Sequence, residues 1–301
     1  MAELTDDAFV LPTHGRYEHS AIVTRPTYRW PNGARLAVYF AVGIEHYAFN
    51  EGLTEKLVPG IPAPDVLNTS WREYGNRVAI WRVLDAFAEY GLPLGILLNT
   101  AVYDHAPDVT DACRKAGHEV IAHGRSNSES MAEMGEAQEA AYIRAVTDRI
   151  LRAEGKKPGG WSSPWMGETL STPDLLQEAG YDYLLDWCMD DQPVWMKTRR
   201  GRILSIPYSQ ELNDSSTMIG RQVGPAEFAD MIVDQFDEMF EKGGDAPLVL
   251  SVVLHSFISG HPFRLRPLRR AIEHIMKKAG SIWLTQPGAI ASHYRAVENS
   301  K

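Results

Sequence analysis

The chain has 301 residues, 44% of them hydrophobic and 23% charged. This is globular composition, long enough for a large buried core. The net charge of -9 argues against a nucleic-acid backbone binder, which needs a basic face; Arg264, Arg266, Arg269 and Arg270 form only a local basic patch. The two cysteines, Cys113 and Cys188, lie far apart, which excludes a disulfide scaffold and a cysteine-based zinc site. No apolar run reaches the ~18 residues of a membrane span. The acidic start Met-Ala-Glu-Leu-Thr-Asp-Asp lacks the features of an export signal. The expected location is the cytoplasm, with neither membrane nor nucleic acid as partner.

Residues 1–30 are polar and dotted with Pro12 and Pro26, and read as an arm laid on a domain spanning 31–301. Leu36 to Val42 is an apolar run of strand length. Residues 49–70, with Gly52, Pro59, Gly60, Pro62 and Pro64, read as a long loop, a common carrier of function. Ile80, Trp81, Leu84, Phe87 and Ala88 share a helix face that ends before Gly91. Leu94 to Leu98 is the next strand. Pro107 to Ala116 is a short helix, and Glu119 to Ala122 is a strand running into His123. A helix covers Glu136 to Ala153, and Gly160 to Ser163 is a strand end. Thr172-Pro173-Asp174 opens a helix with proline in its first turn. Tyr183 to Trp187 is a strand.

The alternation breaks between Asp190 and Asn213, where Val194 to Thr198 and Ile203 to Pro207 flank a hairpin. Pro225 to Lys242 is the clearest amphipathic helix. Leu248 to Leu254 is a buried strand, Pro267 to Ala279 a helix, Ile282 to Thr285 a strand and Pro287 to Ala296 the last helix. Repeated strand–helix alternation implies parallel strands with right-handed crossovers. The expected fold class is α/β: a single-domain distorted (β/α)7 barrel, with an open doubly wound sheet as alternative. No glycine-rich phosphate loop follows a strand, which weakens the dinucleotide-binding version of that alternative.

In a parallel barrel, working residues sit at the C-terminal strand ends. Reading off those ends in chain order yields Glu45 and His46; Asn99 and Thr100; His123; Ser162 to Trp165; Asp186, Asp190 and Asp191; Glu211, Asn213 and Asp214; His255; Thr285 and Gln286. Each has a structural explanation alone. A carboxylate and several imidazoles on one rim do not, because packing offers no reason to desolvate them together.

In this order the rim residues resemble the polysaccharide deacetylase superfamily, the NodB-homology fold, from Trp30 to about Tyr294. The resemblance is carried by Trp71-Arg72-Glu73-Tyr74-Gly75, by Gly117-His118-Glu119-Val120-Ile121-Ala122-His123-Gly124, by Leu185-Asp186-Trp187-Cys188-Met189-Asp190-Asp191-Gln192-Pro193, and by Leu254-His255-Ser256-Phe257-Ile258-Ser259-Gly260-His261-Pro262. The subgroup most resembled is the cytoplasmic branch of cofactor-independent allantoinases and cyclic imide hydrolases. Two departures stand out. Metal-dependent members carry Asp-Asp on the first strand, where this chain has Ile44-Glu45-His46. They also carry a second histidine four residues after the first, where this chain has Asn127. The metal triad thus maps onto Glu45, His123 and Asn127, and an amide oxygen is a poor zinc ligand. Three outcomes stay open: His46 as replacement ligand, one weakly held divalent ion such as zinc, or no metal.

The resemblance implies hydrolysis of a C–N bond in a small molecule: a cyclic amide, ureide or imide. The reaction needs a base for water, donors for the oxyanion and an acid for the leaving nitrogen. Glu45 is assigned as base or metal ligand. His123 is assigned to hold a metal or polarise the carbonyl. His255 is the acid, since histidine shuttles protons near neutral pH, and Asp190 orients it, with Asp186 the alternative. Asn127 and Arg125 are oxyanion donors. His46, Arg72, Trp165, Asp186 and Asn213 complete the candidate substrate-binding set. Tyr47, Phe49, Trp71, Trp165 and Trp187 are the aromatics available to cover a planar ring. Competing readings are a ligand-binding barrel with an altered triad, a sugar N-deacetylase, and another (β/α) enzyme such as a metal-dependent isomerase. The resemblance also suggests a homo-oligomer.

Overall fold

The computed structural model describes residues 11–53 and 55–299; the first ten residues of the expected arm lie outside the described residues. Strand β1 (Leu36–Ile44) is buried along its whole length, as its unbroken apolar run requires when both faces are covered. Helix α1 (Val66–Tyr74) begins inside the segment read from the sequence as loop. Its three preceding prolines mask the start, but Asp65 caps it by accepting the Asn68 N–H at 3.0 Å. A π-turn over Gly75–Ala79 leads into α2 (Ile80–Ala88).

The chain then runs through β2 (Leu94–Leu98), α3 (Val102–His105), α4 (Pro107–Lys115), β3 (Glu119–Ala122), α5 (Glu136–Glu154), β4 (Gly160–Trp161), α6 (Thr172–Ala179) and β5 (Tyr183–Leu184). The hairpin is β6 (Val194–Thr198) and β7 (Gly201–Ser205). It is followed by α7 (Pro225–Lys242), β8 (Leu248–His255), α8 (Ser256–Ser259), α9 (Pro262–Met276), β9 (Trp283–Thr285) and α10 (Pro287–Asn299). Helix α9 starts at Pro262, five residues before the proline that marks its start in the sequence reading. Pro262 occupies the first turn, and Pro267 sits inside the helix.

One sheet holds all the strands, in the order β6-β7-β5-β4-β3-β2-β1-β8, with β9 against the first half of β1. Every pairing is parallel except β6 with β7. The sheet curls but its edges do not pair directly. Segment 206–214 crosses the seam, and the Val253 N–H donates to the Leu212 carbonyl at 2.9 Å. This curled sheet is a distorted (β/α) barrel.

Register positions the site. Ile44 faces Leu98, Leu98 faces Ala122, and Ala122 faces Trp161. The next residues, Glu45, Asn99, His123 and Ser162, therefore leave the sheet at one level. On the other side of β1, His255 lies opposite Gly43.

The opposite end of the barrel is closed by Glu119, the first residue of β3. Its carboxylate accepts the Tyr183 hydroxyl at 2.8 Å and the Gly288 N–H at 2.9 Å, tying β3 to β5 and α10. Replacing Glu119 with Ala leaves two buried donors unpaired, at about 1–3 kcal/mol for such a group. Denaturant unfolding of Glu119→Ala should show a loss of that order. Activity per folded molecule should stay unchanged, because the site lies at the other end.

Candidate active site

Glu45 is the centre of the rim. It is 4% exposed, and its Oε1 lies 3.5 Å from His123 Nε2 and 3.4 Å from His255 Nε2. Its Oε2 accepts the Tyr47 hydroxyl. A Cβ on Gly43 would meet His255 Cδ2 at 3.0 Å and Glu45 Oε1 at 3.2 Å, so the missing side chain there makes room for both groups.

The second nitrogen of each imidazole is spoken for. His123 Nδ1 lies 2.8 Å from the Ser162 carbonyl. A carbonyl only accepts, so Nδ1 carries the proton and Nε2 is the nitrogen turned to Glu45. His255 Nδ1 lies 2.6 Å from Asp214 Oδ1. Asp214 Oδ2 accepts the His255 backbone N–H at 2.9 Å and the Ser259 hydroxyl at 2.5 Å. Asp214 is fully buried and locks the ring on which the end of β8 projects.

Charge follows from this packing. Burial works to neutralise Glu45, but the His255 charge, the neighbouring His123 and the Tyr47 hydrogen bond outweigh it and hold the carboxyl below its ordinary range. Burial likewise opposes charge on His255, but Glu45 and then Asp214 overcome it and push the imidazole up to about 10. At neutral pH the pair is carboxylate and imidazolium.

Asn127 enters the same cluster through Asn99. Asn99 Oδ1 accepts the His46 N–H at 2.9 Å, so its Nδ2 is the end that donates to the His123 carbonyl and, at 2.9 Å, to Asn127 Oδ1. With its oxygen engaged there, Asn127 presents its NH2 to the cavity. That cavity has a volume of about 160 Å³, and Trp165, Met166, Gln210, Asn213, Ser215 and Glu55 are among its other lining residues. Trp165 and Met166 both adopt left-handed backbone, at φ 58° and 52°, a conformation costly for side-chain-bearing residues. The turn leaves the Trp165 indole 56% exposed at the cavity mouth. Asn213 Oδ1 is taken by the Ser215 N–H at 3.0 Å.

Several sequence assignments are corrected. Asp190 does not orient His255. It makes a two-pronged ion pair with Arg25, both contacts at 2.7 Å, and lines a separate cavity of about 900 Å³ beside the arm. Asp214 holds His255 instead. His46 is turned away and stacked on His105, ring centroids 3.9 Å apart. The Arg125 guanidinium is exposed and pairs with Glu129, so it is not an oxyanion donor. Arg72 lies under the loop that precedes α1, donating to the Glu51 and Glu55 carbonyls at 3.0 and 2.7 Å. Asp186 is not among the cavity-lining residues. It accepts the Ser163 N–H at 2.7 Å and is raised by burial, as is its neighbour Glu168.

The donor set does not fit a metal. Of the three positions mapped from the metal-dependent pattern, Asn127 presents hydrogen-bond donors rather than a free oxygen. His46 is stacked elsewhere. Among the described residues no group of three His, Cys, Asp or Glu side chains is placed to hold a metal ion. Nor is any helix among them long and apolar enough to cross a membrane.

Residues 73–184 match the polysaccharide deacetylase family. The crystal structure of PuuE allantoinase superposes with a TM-score of 0.81 at 29% identity, over 93% of this chain and 98% of that one. A Pseudomonas aeruginosa PAO1 protein described as a probable polysaccharide deacetylase superposes with a TM-score of 0.79 at 27% identity, over 90% and 95% of the two chains. Peptidoglycan deacetylase of Helicobacter pylori is 28% identical, over 70% of this chain and 82% of its own. The central part of the chain thus matches the polysaccharide deacetylase (NodB) domain, and the structural neighbours, PuuE allantoinase and a probable polysaccharide deacetylase among them, are consistent with the allantoinase-like branch.

Proposed function

We propose that the protein hydrolyses a C–N bond in a small cyclic amide, ureide or imide, without a metal. The observation that carries this reading is Glu45 Oε1 set between two Nε2 atoms at 3.5 and 3.4 Å. The 29%-identical allantoinase neighbour and the small cavity under Trp165 support a compact ring as substrate.

Water sits between Glu45 Oε1 and His123 Nε2, which accept its two hydrogens. Glu45 takes one proton as the oxygen attacks the carbonyl carbon. The oxyanion forms against the Asn127 NH2. His255, held protonated, gives its Nε2 proton to the leaving nitrogen as the C–N bond breaks, and Glu45 then returns a proton to His255 across 3.4 Å. The ring opens to a single product that carries a carboxyl group and the released N–H, an amine from a lactam, an amide from an imide or a urea from a ureide, with protons balanced. Base and acid are each kept in the reactive state by the other's charge, which is how pKa separation assigns such roles. Trp165 covers one face of the ring.

The test is turnover of a panel: an imide, a cyclic ureide, a plain lactam and an N-acetylglucosamine oligomer. The sugar is included because a relative is a peptidoglycan deacetylase. Turnover of the oligomer alone would replace this reading with sugar deacetylation. Losing a general acid costs about 10²–10⁴-fold in rate. His255→Ala should lose that much on the lactam and less on the imide, whose nitrogen is a better leaving group. Equal losses would remove His255 from the acid role.

The pH profile follows from the same pair. The acid works while protonated, so the rate should fall as pH rises through about 10. Asp214→Asn removes one of the charges that raise His255 and should move that alkaline limb to lower pH. An unmoved limb would assign it to another group. Metal removal provides a third check. Prolonged chelation should leave kcat unchanged, and the untreated protein should contain only substoichiometric metal by elemental analysis.

A further inference from the structure

Glu55 reaches into the cavity from the loop that precedes α1. Its Oε1 accepts the Ser215 hydroxyl. Its Oε2 is buried and has no hydrogen-bond partner among the described residues. A buried carboxylate oxygen left unpaired is costly, and a carboxylate can only accept. The position therefore calls for a donor brought from outside. None of the reaction steps above uses it.

Its placement is fixed from below. The Arg72 guanidinium donates to the carbonyls of Glu51 and Glu55 and lies over the Tyr47 ring, 4.4 Å from its centroid. Gly52, at φ 153°, makes this possible, because a Cβ there would fall inside the guanidinium's van der Waals radius. Tyr47 in turn donates to Glu45. One clamp thus sets both the base and the loop carboxylate.

We infer that Glu55 Oε2 is a specificity determinant: it accepts an N–H of the substrate, so the site selects ligands that carry a free N–H beside the scissile carbonyl. This rests on the cyclic amide reading and narrows it to ring ureides and imides over N-alkylated rings. The Asn127 NH2 and Glu55 Oε2 offer one donor and one acceptor to the same ligand, matching the C=O and N–H edge of such a ring.

The probes are hydantoin and its N,N′-dimethyl derivative, with turnover and calorimetric binding both measured. A hydrogen bond to a charged group is worth about 10- to 100-fold in affinity. Glu55→Gln, which retains the Ser215 contact but turns its NH2 to the cavity, should weaken hydantoin by that factor, mainly in KM with kcat moved less. It should leave the dimethyl compound no weaker than with wild type. Gly52→Ala, which displaces the Arg72 clamp without touching the carboxylate, should reduce the same selectivity. Equal losses on both probes would make Glu55 a loop-structuring residue. An unchanged preference would remove Oε2 from recognition, and so would wild-type protein that fails to bind hydantoin. Binding without turnover would sink the hydrolysis reading and leave the N–H recognition standing. Turnover indifferent to Glu55 would do the reverse.

Discussion

A carboxylate and an imidazolium 3.4 Å apart, both buried against a small cavity, impose conditions on everything around them. Desolvating two charges costs several kcal/mol per ion, and attraction repays it only with good geometry and satisfied remaining valences. The surroundings of Glu45 and His255 meet that demand in turn. Tyr47 takes the second carboxylate oxygen, Asp214 takes the second ring nitrogen, and Ser259 and the His255 backbone occupy Asp214's other oxygen. Gly43 leaves the space in which the two groups meet. The β1–β8 register, in which Gly43 faces His255, is the single pairing that permits this. A slip by one residue would turn the imidazole to the other face of the sheet.

Much of this was legible in the sequence because it follows from local periodicity. Leu36–Ile44 and Leu248–His255 are fully buried, predominantly apolar strands, and α7 carries a full apolar stripe, so the strand ends and the polar residues beyond them can be read directly. Glu45, His123 and His255 meet because parallel strands align their ends. What escaped depends on contacts between distant segments. The sequence reading takes Asp190 as the partner of His255, with Asp186 the alternative, and has Asp214 only among the polar residues that end the irregular segment. The structure separates them through the seam: segment 206–214 crosses beside β8 and delivers Asp214, while Asp190 turns toward the arm and Arg25. The start of α1 was hidden by the prolines before Asp65, and Glu55 sat in the same stretch without a periodic signal.

Asn127 stands where the resemblance places a metal-binding histidine, and its own contacts set what it offers there. Its amide is oriented by Asn99, which is itself oriented by the His46 N–H. The chain of bonds has one consistent polarity, and that polarity turns the NH2 into the cavity. Where a histidine would offer a lone pair to a cation, this amide offers a hydrogen-bond donor, which in the proposed reaction meets the oxyanion. The same barrel end can then polarise a carbonyl with a fixed dipole, whose orientation is set before substrate arrives.

The loop completes the argument, because it connects recognition to the base through a single guanidinium. Arg72 projects from α1, the helix whose start Asp65 caps, and it holds the Glu51 and Glu55 carbonyls while covering Tyr47. Tyr47 bonds Glu45, and Glu55 lines the cavity that Glu45 shares. A displacement of the loop would therefore disturb both Glu55, the acceptor proposed to read the ligand, and the Tyr47 hydroxyl that bonds one oxygen of the proposed base. One polar element positions both proposed roles. Precise placement of groups of this kind is what converts a bimolecular encounter with water into an oriented attack.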